Sequence, residues 1–264
     1  MIFRGQVRKM LVCRDTPVVY YLRLGRDILF LNSLIGKIFS VKHIGYQCVG
    51  CGSDKKIFRM GFCKKCFFES PYASDTIIRP ELSKAHLGIE ERDLAVEEEI
   101  QLQPHVVYLA YTGDVKVGVT RLSQLPARWI DQGAVAALPI ARTQNRYEAG
   151  RIEVALKKHF SDKTHYKKML LESFGKSVPD LEDLRGTVRE YFPKEFRSFY
   201  NEEFNVENFE YPYTPPEKIV SLSLEKVSSF EGILKGIKGQ YLYLDEVGFF
   251  NVRAHEGYVV EIFV

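Results

Sequence analysis

Four cysteines in the stretch QCVGCGSDKKIFRMGFCKKCF stand as two CxxC pairs, Cys48 with Cys51 and Cys63 with Cys66, with 11 residues between the pairs. A CxxC pair curls into a knuckle that presents two thiolates and free backbone amides. Two facing knuckles make the tetrahedral four-sulfur shell that Zn²⁺ prefers. Four of the five cysteines fall within 19 residues, and Met1 to Lys9 carries three basic residues with no apolar core behind it. No signal peptide is therefore expected, and the pattern reads as metal rather than disulfide chemistry. Four protein ligands leave no open position for water, so the expected zinc is structural and folds its module without catalysing anything. A redox dithiol pair is the alternative use of the same spacing. Lys55, Lys56, Arg59, Lys64 and Lys65 surround the cysteines. They suit contact with nucleic-acid phosphates, and they equally offset the charge of four thiolates. Cys13 is expected to be a buried thiol.

A second stretch, HVVYLAYTGDVKVGVTRLSQLPARW over residues 105–129, starts as two strands and ends as a helix that carries Arg128 beside the only tryptophan. It sets a tyrosine, a lysine and a glycine in a hairpin and then hands over to an arginine. Whether such a set cuts a ligand or merely holds one is the functional question the chain poses.

This stretch resembles the GIY-YIG endonuclease superfamily, in which a hairpin carries two half-motifs and is followed by helical arginine and glutamate residues. Val106, Val107 and Tyr108 match the first half-motif, and Lys116, Val117 and Gly118 match the second, with Val106 and Lys116 departing from the usual residues. The helix PARWIDQG supplies Arg128 and the helix GRIEVALKKHF supplies Glu153; the resemblance covers residues 105–165. It implies phosphodiester cleavage. Glu153 would hold one Mg²⁺ or Mn²⁺ through hard oxygen. Arg128 would hold the phosphate with its planar fork. Tyr108, its pKa lowered by Lys116, would help to deprotonate water. Gly118 would let the strand approach the substrate backbone. Arg121 joins the five cations near the cysteines as a candidate nucleic-acid contact. The whole chain also resembles an uncharacterised bacterial family, a domain of unknown function that combines a CxxC…CxxC ribbon with VYLA, KVGVTR, RWIDQGA and a DKT segment, here Asp162, Lys163 and Thr164.

Each of these residues has a plainer use. Tyr108 can pack in the sheet, Lys116 can be an exposed strand residue, and Gly118 can mark a bulge. Glu153 can be a solvated helix residue paired with Lys157 at i+4. His159 falls in the apolar stripe of its helix and reads as a core histidine.

The elements that must position these groups follow from patterning. Residues 3–47 are rich in Val, Ile, Leu, Tyr and Phe, with turn signals at Asp15-Thr16-Pro17, Gly25-Arg26-Asp27 and Gly36, which predicts short antiparallel strands. The C-terminal stretch repeats the pattern: QYLYLDEVGFFNV resembles YYLRLGRDILFLN, so the two ends can form halves of one β-structure. Ile152, Ala155, Leu156, His159 and Phe160 recur at helical spacing, and Asn145 with Glu148 is a capping box. The longest apolar runs fall short of the roughly 20 residues a membrane span requires. Residues 1–70 carry 13 Lys and Arg against 4 Asp and Glu, and residues 105–168 carry 11 against 5. Residues 71–104 and 169–264 are acidic, 3 against 8 and 10 against 17. Two basic blocks are what a phosphate-binding surface needs, although charge runs also serve as solvated faces.

The expected fold is α+β. It comprises N-terminal β-structure over 1–47, a four-cysteine zinc ribbon over 48–70 and a connector over 71–104. A GIY-YIG-like hairpin-plus-helices module with a helical extension follows over 105–215, and C-terminal β-structure over 216–264. The expected function is that of a cytoplasmic, zinc-containing nucleic-acid-binding protein that acts as a metal-dependent endonuclease. The alternatives are a nucleic-acid or ribosome-associated binder without that chemistry, and a zinc-stabilised protein-interaction module.

Overall fold

A computed structural model describes residues 1–172 and 178–264. In chain order the strands begin with β1 (Ile2–Gln6), β2 (Leu11–Cys13), β3 (Val19–Leu24), β4 (Asp27–Phe30) and β5 (Ile38–Tyr46). A short ribbon follows, with β6 (Ile57–Arg59), β7 (Phe62–Cys63) and helix α1 (Lys64–Glu69). Next come α2 (Asp75–Ile78), α3 (Leu94–Gln101), β8 (His105–Tyr111), β9 (Val115–Arg121), α4 (Ala127–Asp131), β10 (Ala136–Thr143) and α5 (Arg146–Leu156). Then α6 (Tyr166–Leu171), α7 (Arg185–Tyr191) and β11 (Glu207–Asn208) lead to β12 (Ser221–Leu222), β13 (Ser229–Lys238), β14 (Tyr241–Leu244), β15 (Gly248–Asn251) and β16 (Tyr258–Phe263). The fold is α+β with predominantly antiparallel sheets. The chain divides into two compact units, Met1–Phe68 with Glu210–Val264, and Glu69–Phe209.

In the first unit both ends of the chain build one seven-stranded sheet in the order β1-β16-β5-β13-β14-β15-β12. The ends interleave: β1 pairs with β16 from Ile2↔Phe263 to Gln6↔Val259, and β5 lies between β16 and β13. The two similar stretches are both hairpins, β3–β4 and β14–β15, yet only the second joins this sheet; the first belongs to a separate sheet, β2-β3-β4. Cys13 is exposed, not buried, because it faces solvent from the edge strand β2.

The second unit is built on a sheet in the order β11-β10-β8-β9. The hairpin β8–β9 turns at Gly113, whose φ of 90° favours a residue without a Cβ. One sheet face carries Val107, Leu109, Val117, Leu138 and Ile140, and packs on Ala149, Ile152 and Leu156 of α5 and Val188 of α7. Helix α5 starts at the Asn145 cap, with the Glu148 carboxylate reaching one residue beyond the cap to the Gln144 N–H rather than to the Asn145 N–H of a capping box. The Asn145 side chain accepts from the Glu148 N–H at 3.0 Å, while the Glu148 carboxylate accepts from the Gln144 N–H at 2.9 Å. The regular helix stops at Leu156, and in the turn that follows only Phe160 keeps its place in the core. His159 is therefore exposed and stacks on Tyr191, with centroids 3.4 Å apart, instead of entering the core. The acidic run before the hairpin forms α3: Asp93 accepts from the Val96 N–H, and buried Glu97 accepts from the backbone N–H groups of Glu91, Arg92 and Asp93. Among the described residues no helix is long and apolar enough to cross a membrane.

Gly150 explains how α5 is seated. A Cβ there would lie 2.3 Å from the Glu81 nitrogen and 2.5 Å from the Pro80 carbonyl carbon, so the helix backbone rides directly on the 80–82 turn. Gly150→Ala is expected to destabilise the protein by about 1–3 kcal/mol through overpacking. Gly186→Ala, in α7 with open space around it, should leave stability unchanged or raise it by up to about 1 kcal/mol. Urea unfolding followed on Trp129 measures both; equal effects would mean that α5 is not held this closely.

Candidate functional site

The ribbon strands β6 and β7 turn through Met60 (φ 52°) and Gly61 (φ 78°) and bring the two CxxC pairs together. All four sulfurs lie within 4.8 Å of one another, with Cys51 and Cys63 at 3.9 Å. Tetrahedral ligation at a metal–sulfur distance of about 2.3 Å needs sulfurs about 3.8 Å apart, so the cluster is close to the geometry of a four-thiolate metal site. The knuckles are tied by backbone: the Cys63 N–H donates to Cys48 Sγ at 3.2 Å, and the Cys48 N–H donates to the Ser53 carbonyl. The sulfur neighbours and the local hydrogen bonds shift Cys51 and Cys66 in opposite directions. The Ser53 side chain and the sulfur neighbours draw Cys51 down to about 6, whereas burial and then its three sulfur neighbours push Cys66 up to about 12. A cation among the sulfurs relieves that conflict, so the four cysteines could hold a metal such as zinc. Lys55, Lys56, Arg59, Lys64 and Lys65 are all exposed around them.

In the other unit, the β8–β9 register sets Tyr108 opposite Gly118 and Lys116 opposite Ala110 without a bulge. Gly118 serves the tyrosine: a Cβ at 118 would sit 2.8 Å from the Tyr108 oxygen, so only glycine leaves room for the phenol. That replaces the expectation of a bulge or of close substrate approach. Tyr108 is 0% exposed, lies edge-on to Trp129 with centroids 5.8 Å apart, and donates to Gln132 Oε1 at 3.0 Å. Burial raises its pKa, against the lowering pull of Arg128. The expectation that Lys116 lowers the tyrosine pKa is thus overturned, since desolvation outweighs the nearby charge and the cation facing the phenol is Arg128.

Lys116 itself is the perturbed base. It is 4% exposed rather than a solvated strand residue, and it makes no ion pair or side-chain hydrogen bond among the described residues. Burial first, then the charge of Arg128, depresses it to about 7, against opposing pulls from Glu153 and Asp162. Asp162 arrives because Ser161 docks beside the edge strand, its carbonyl accepting from the Val117 N–H at 2.8 Å. Glu153 is 8% exposed and lies 3.5 Å from Lys157, so the i+4 pair exists but is not solvated; burial raises its pKa while Lys157 and Arg146 pull it down.

The charges of Arg128 and Glu153 act on both Tyr108 and Lys116. Arg121 and Arg146 belong to the same neighbourhood. Arg146 went unnoticed in the sequence, although it stands two helical turns before Glu153 and directly after the Asn145 cap. Its guanidinium donates to the Thr76 and Ile77 carbonyls, both at 2.8 Å, and burial, opposed by Glu153, lowers its pKa to about 10. His105 is buried and neutral: burial takes it to about 4, Nδ1 donates to the Gln103 carbonyl at 2.7 Å, and Nε2 has no partner among the described residues. Such a set can neutralise an anion, exchange a proton near neutral pH at Lys116, and offer one carboxylate.

Residues 36–260 match the model of a family described as a protein of unknown function, DUF2797. Comparison with curated proteins and with solved structures finds no match.

The buried amine has a consequence for stability. Below about pH 7 Lys116 is charged in both native and unfolded states, and the native state bears the full cost of burying the charge. Between about 7 and the ordinary 10.5 the unfolded chain binds the additional proton, so this group makes native stability rise with pH across that window. Lys116→Met is expected to stabilise the protein, most at pH 6 and less at pH 9. Urea midpoints of both proteins at the two pH values test it, and a gain independent of pH would mean that the amine stays charged in the fold.

Proposed function

We propose that this chain, a member of the DUF2797 family, is a zinc-containing nucleic-acid-binding protein whose 69–209 unit cleaves phosphodiester bonds by GIY-YIG-type chemistry. The observation that carries the reading is the β8–β9 register, which puts the buried Tyr108 and Lys116 on one sheet face, with the charges of Arg128 and Glu153 from two later helices acting on both, in the chain order of the superfamily they resemble. Arg121, Arg128 and Arg146 serve as the phosphate clamp, because planar guanidinium groups offer directed donors to an anion. Lys116, near neutrality, takes the proton from the attacking water. Tyr108 keeps its own proton and, through Gln132, orients the groups around it. Glu153 offers the single hard ligand, which suits Mg²⁺ or Mn²⁺ because such ions are commonly held by one or two carboxylates together with substrate phosphate and water. The ion, when bound, neutralises phosphate charge and stabilises the leaving oxygen.

A second reading has an observation of its own. Complete burial of Tyr108 favours a nucleic-acid binder that keeps this scaffold without its chemistry. Cleavage assays on single-stranded and duplex DNA and RNA, with Mg²⁺ and with Mn²⁺, separate the two. Wild type is expected to cut, and Glu153→Gln to lose about 100-fold or more of the rate while retaining binding. Arg128→Ala should weaken both. Equal cleavage by wild type and Glu153→Gln would remove Glu153 from the mechanism, and wild type that binds every substrate but cuts none would establish the binder.

For the cysteines we propose structural Zn²⁺ at Cys48, Cys51, Cys63 and Cys66. Elemental analysis of purified protein should give one zinc per chain, and chelation should unfold the ribbon and lower the stability of the unit that contains it. Protein with no stoichiometric zinc and unchanged hydrogen exchange after chelation would eliminate the assignment.

A further inference from the structure

Three phenylalanines of the ribbon pack on one another at the surface. Ring centroids are 5.2 Å apart for Phe58 and Phe67, 5.8 Å for Phe58 and Phe68, and 5.3 Å for Phe67 and Phe68. Phe58 remains 46% exposed and Phe68 57%. Exposed aromatic side chains of this size forgo the stabilisation that burial would bring, so their clustering calls for a ligand. Around them Lys55, Lys56, Arg59 and Lys64 are exposed and make no ion pair among the described residues. Asp54 is the single acidic residue between Cys48 and Phe68. Four thiolates on a divalent ion keep a residual double negative charge, which these four cations together with Lys65 exceed.

We propose that the ribbon face made by Phe58, Phe68, Lys55, Lys56, Arg59 and Lys64 binds single-stranded nucleic acid, its rings stacking on bases and its cations following the phosphates. The proposal rests on the nucleic-acid reading above and names the form of the ligand. Cations alone would serve a duplex equally well. The rings find partners only where bases are unstacked, because duplex bases already cover one another's faces. The ring planes of Phe58 and Phe68 are inclined by 34°, so the two exposed rings form one aromatic surface. Stacking of this kind tolerates any base, so the surface recognises a strand rather than a sequence.

The test uses the full-length, zinc-loaded protein and fluorescence anisotropy with labelled oligothymidylate, oligouridylate and a duplex of mixed sequence. Single strands are expected to bind more tightly than the duplex. The double variant Phe58→Leu, Phe68→Leu keeps apolar bulk but removes the aromatic faces, and should weaken single-strand binding about tenfold or more while leaving duplex binding and the salt dependence unchanged. Phe58→Tyr with Phe68→Tyr should restore it. Replacing Lys55, Lys56, Arg59 and Lys64 by alanine should flatten the salt dependence by about 0.7 in log–log slope for each phosphate that is no longer neutralised. Equal affinity for single strand and duplex, or Leu variants that bind like wild type, overturns the proposal while leaving cleavage in the other unit untouched. Retention on phosphatidylserine vesicles without nucleic-acid binding would replace it with a membrane surface. Loss of cleavage in Glu153→Gln with ribbon binding intact would bear on the catalytic reading alone.

Discussion

Burial of Lys116 is the constraint around which the 69–209 unit is arranged. A lone ammonium taken out of water costs several kcal/mol unless it is paired or loses its proton. Here the nearest acidic groups are only electrostatic neighbours: Glu153 is already engaged by Lys157, and Asp162 lies at the end of a docked segment. The amine therefore meets the cost by giving up its proton near neutrality. That solution requires the β9 edge to be covered, which the Ser161 segment does, and it requires a strong core behind the hairpin. Ala149, Ile152 and Leu156 against Val107, Leu109 and Val117 supply that core. Burial and the lowered pKa of Lys116 are thus one fact, and Gly150, which lets α5 ride on the 80–82 turn, is among the positions that sustain the packing behind it.

The ribbon meets the opposite problem, since it gathers four potential anions in a segment with little core. Helix α1 buries none of its residues, and β6 and β7 are three and two residues long. Elements this short do not hold together by hydrophobic contact alone. Cross-linking through sulfur is what such a module needs, and the four clustered sulfurs provide the ligands for it. One unit drives a proton off a cation, and the other calls for a cation among its thiolates.

Local features were legible in the sequence because they depend on residues a few positions apart. The CxxC spacing, the hairpin, and the Asn145 cap with Glu148 all lie within reach of short-range geometry. What escaped depends on partners distant in the chain. The sequence led to the joining of the two ends in one β-structure, but the β1–β16 register and the departure of YYLRLGRDILFLN to its own sheet follow from long-range pairing that no local pattern encodes. The role of Gly118 was misread because the space it opens is filled by Tyr108, ten residues earlier and across the hairpin. The tyrosine pKa was misjudged for a related reason: proximity of charge is visible in spacing, whereas desolvation is a property of the packed fold. Arg146 was missed because its hydrogen-bond partners, the Thr76 and Ile77 carbonyls, lie some seventy residues away.

The two groups of cations also differ in what an anion would gain from them. Lys55, Lys56, Arg59 and Lys64 stand in water, where each attraction is weak, long-ranged and screened by salt over about 8–10 Å. Arg146 is desolvated and fixed by backbone carbonyls, and Arg128 faces the buried Tyr108 phenol, so their fields are directed and less screened. Exposed charge suits capture of an extended polyanion, whose many phosphates compensate for weak individual attractions by releasing counterions. Buried charge suits the holding of a single phosphate in one orientation, because its donors are already aimed before the anion arrives. On the proposed reading the exposed set would collect a strand and the buried set would hold a single phosphate, and neither set by itself accomplishes both tasks.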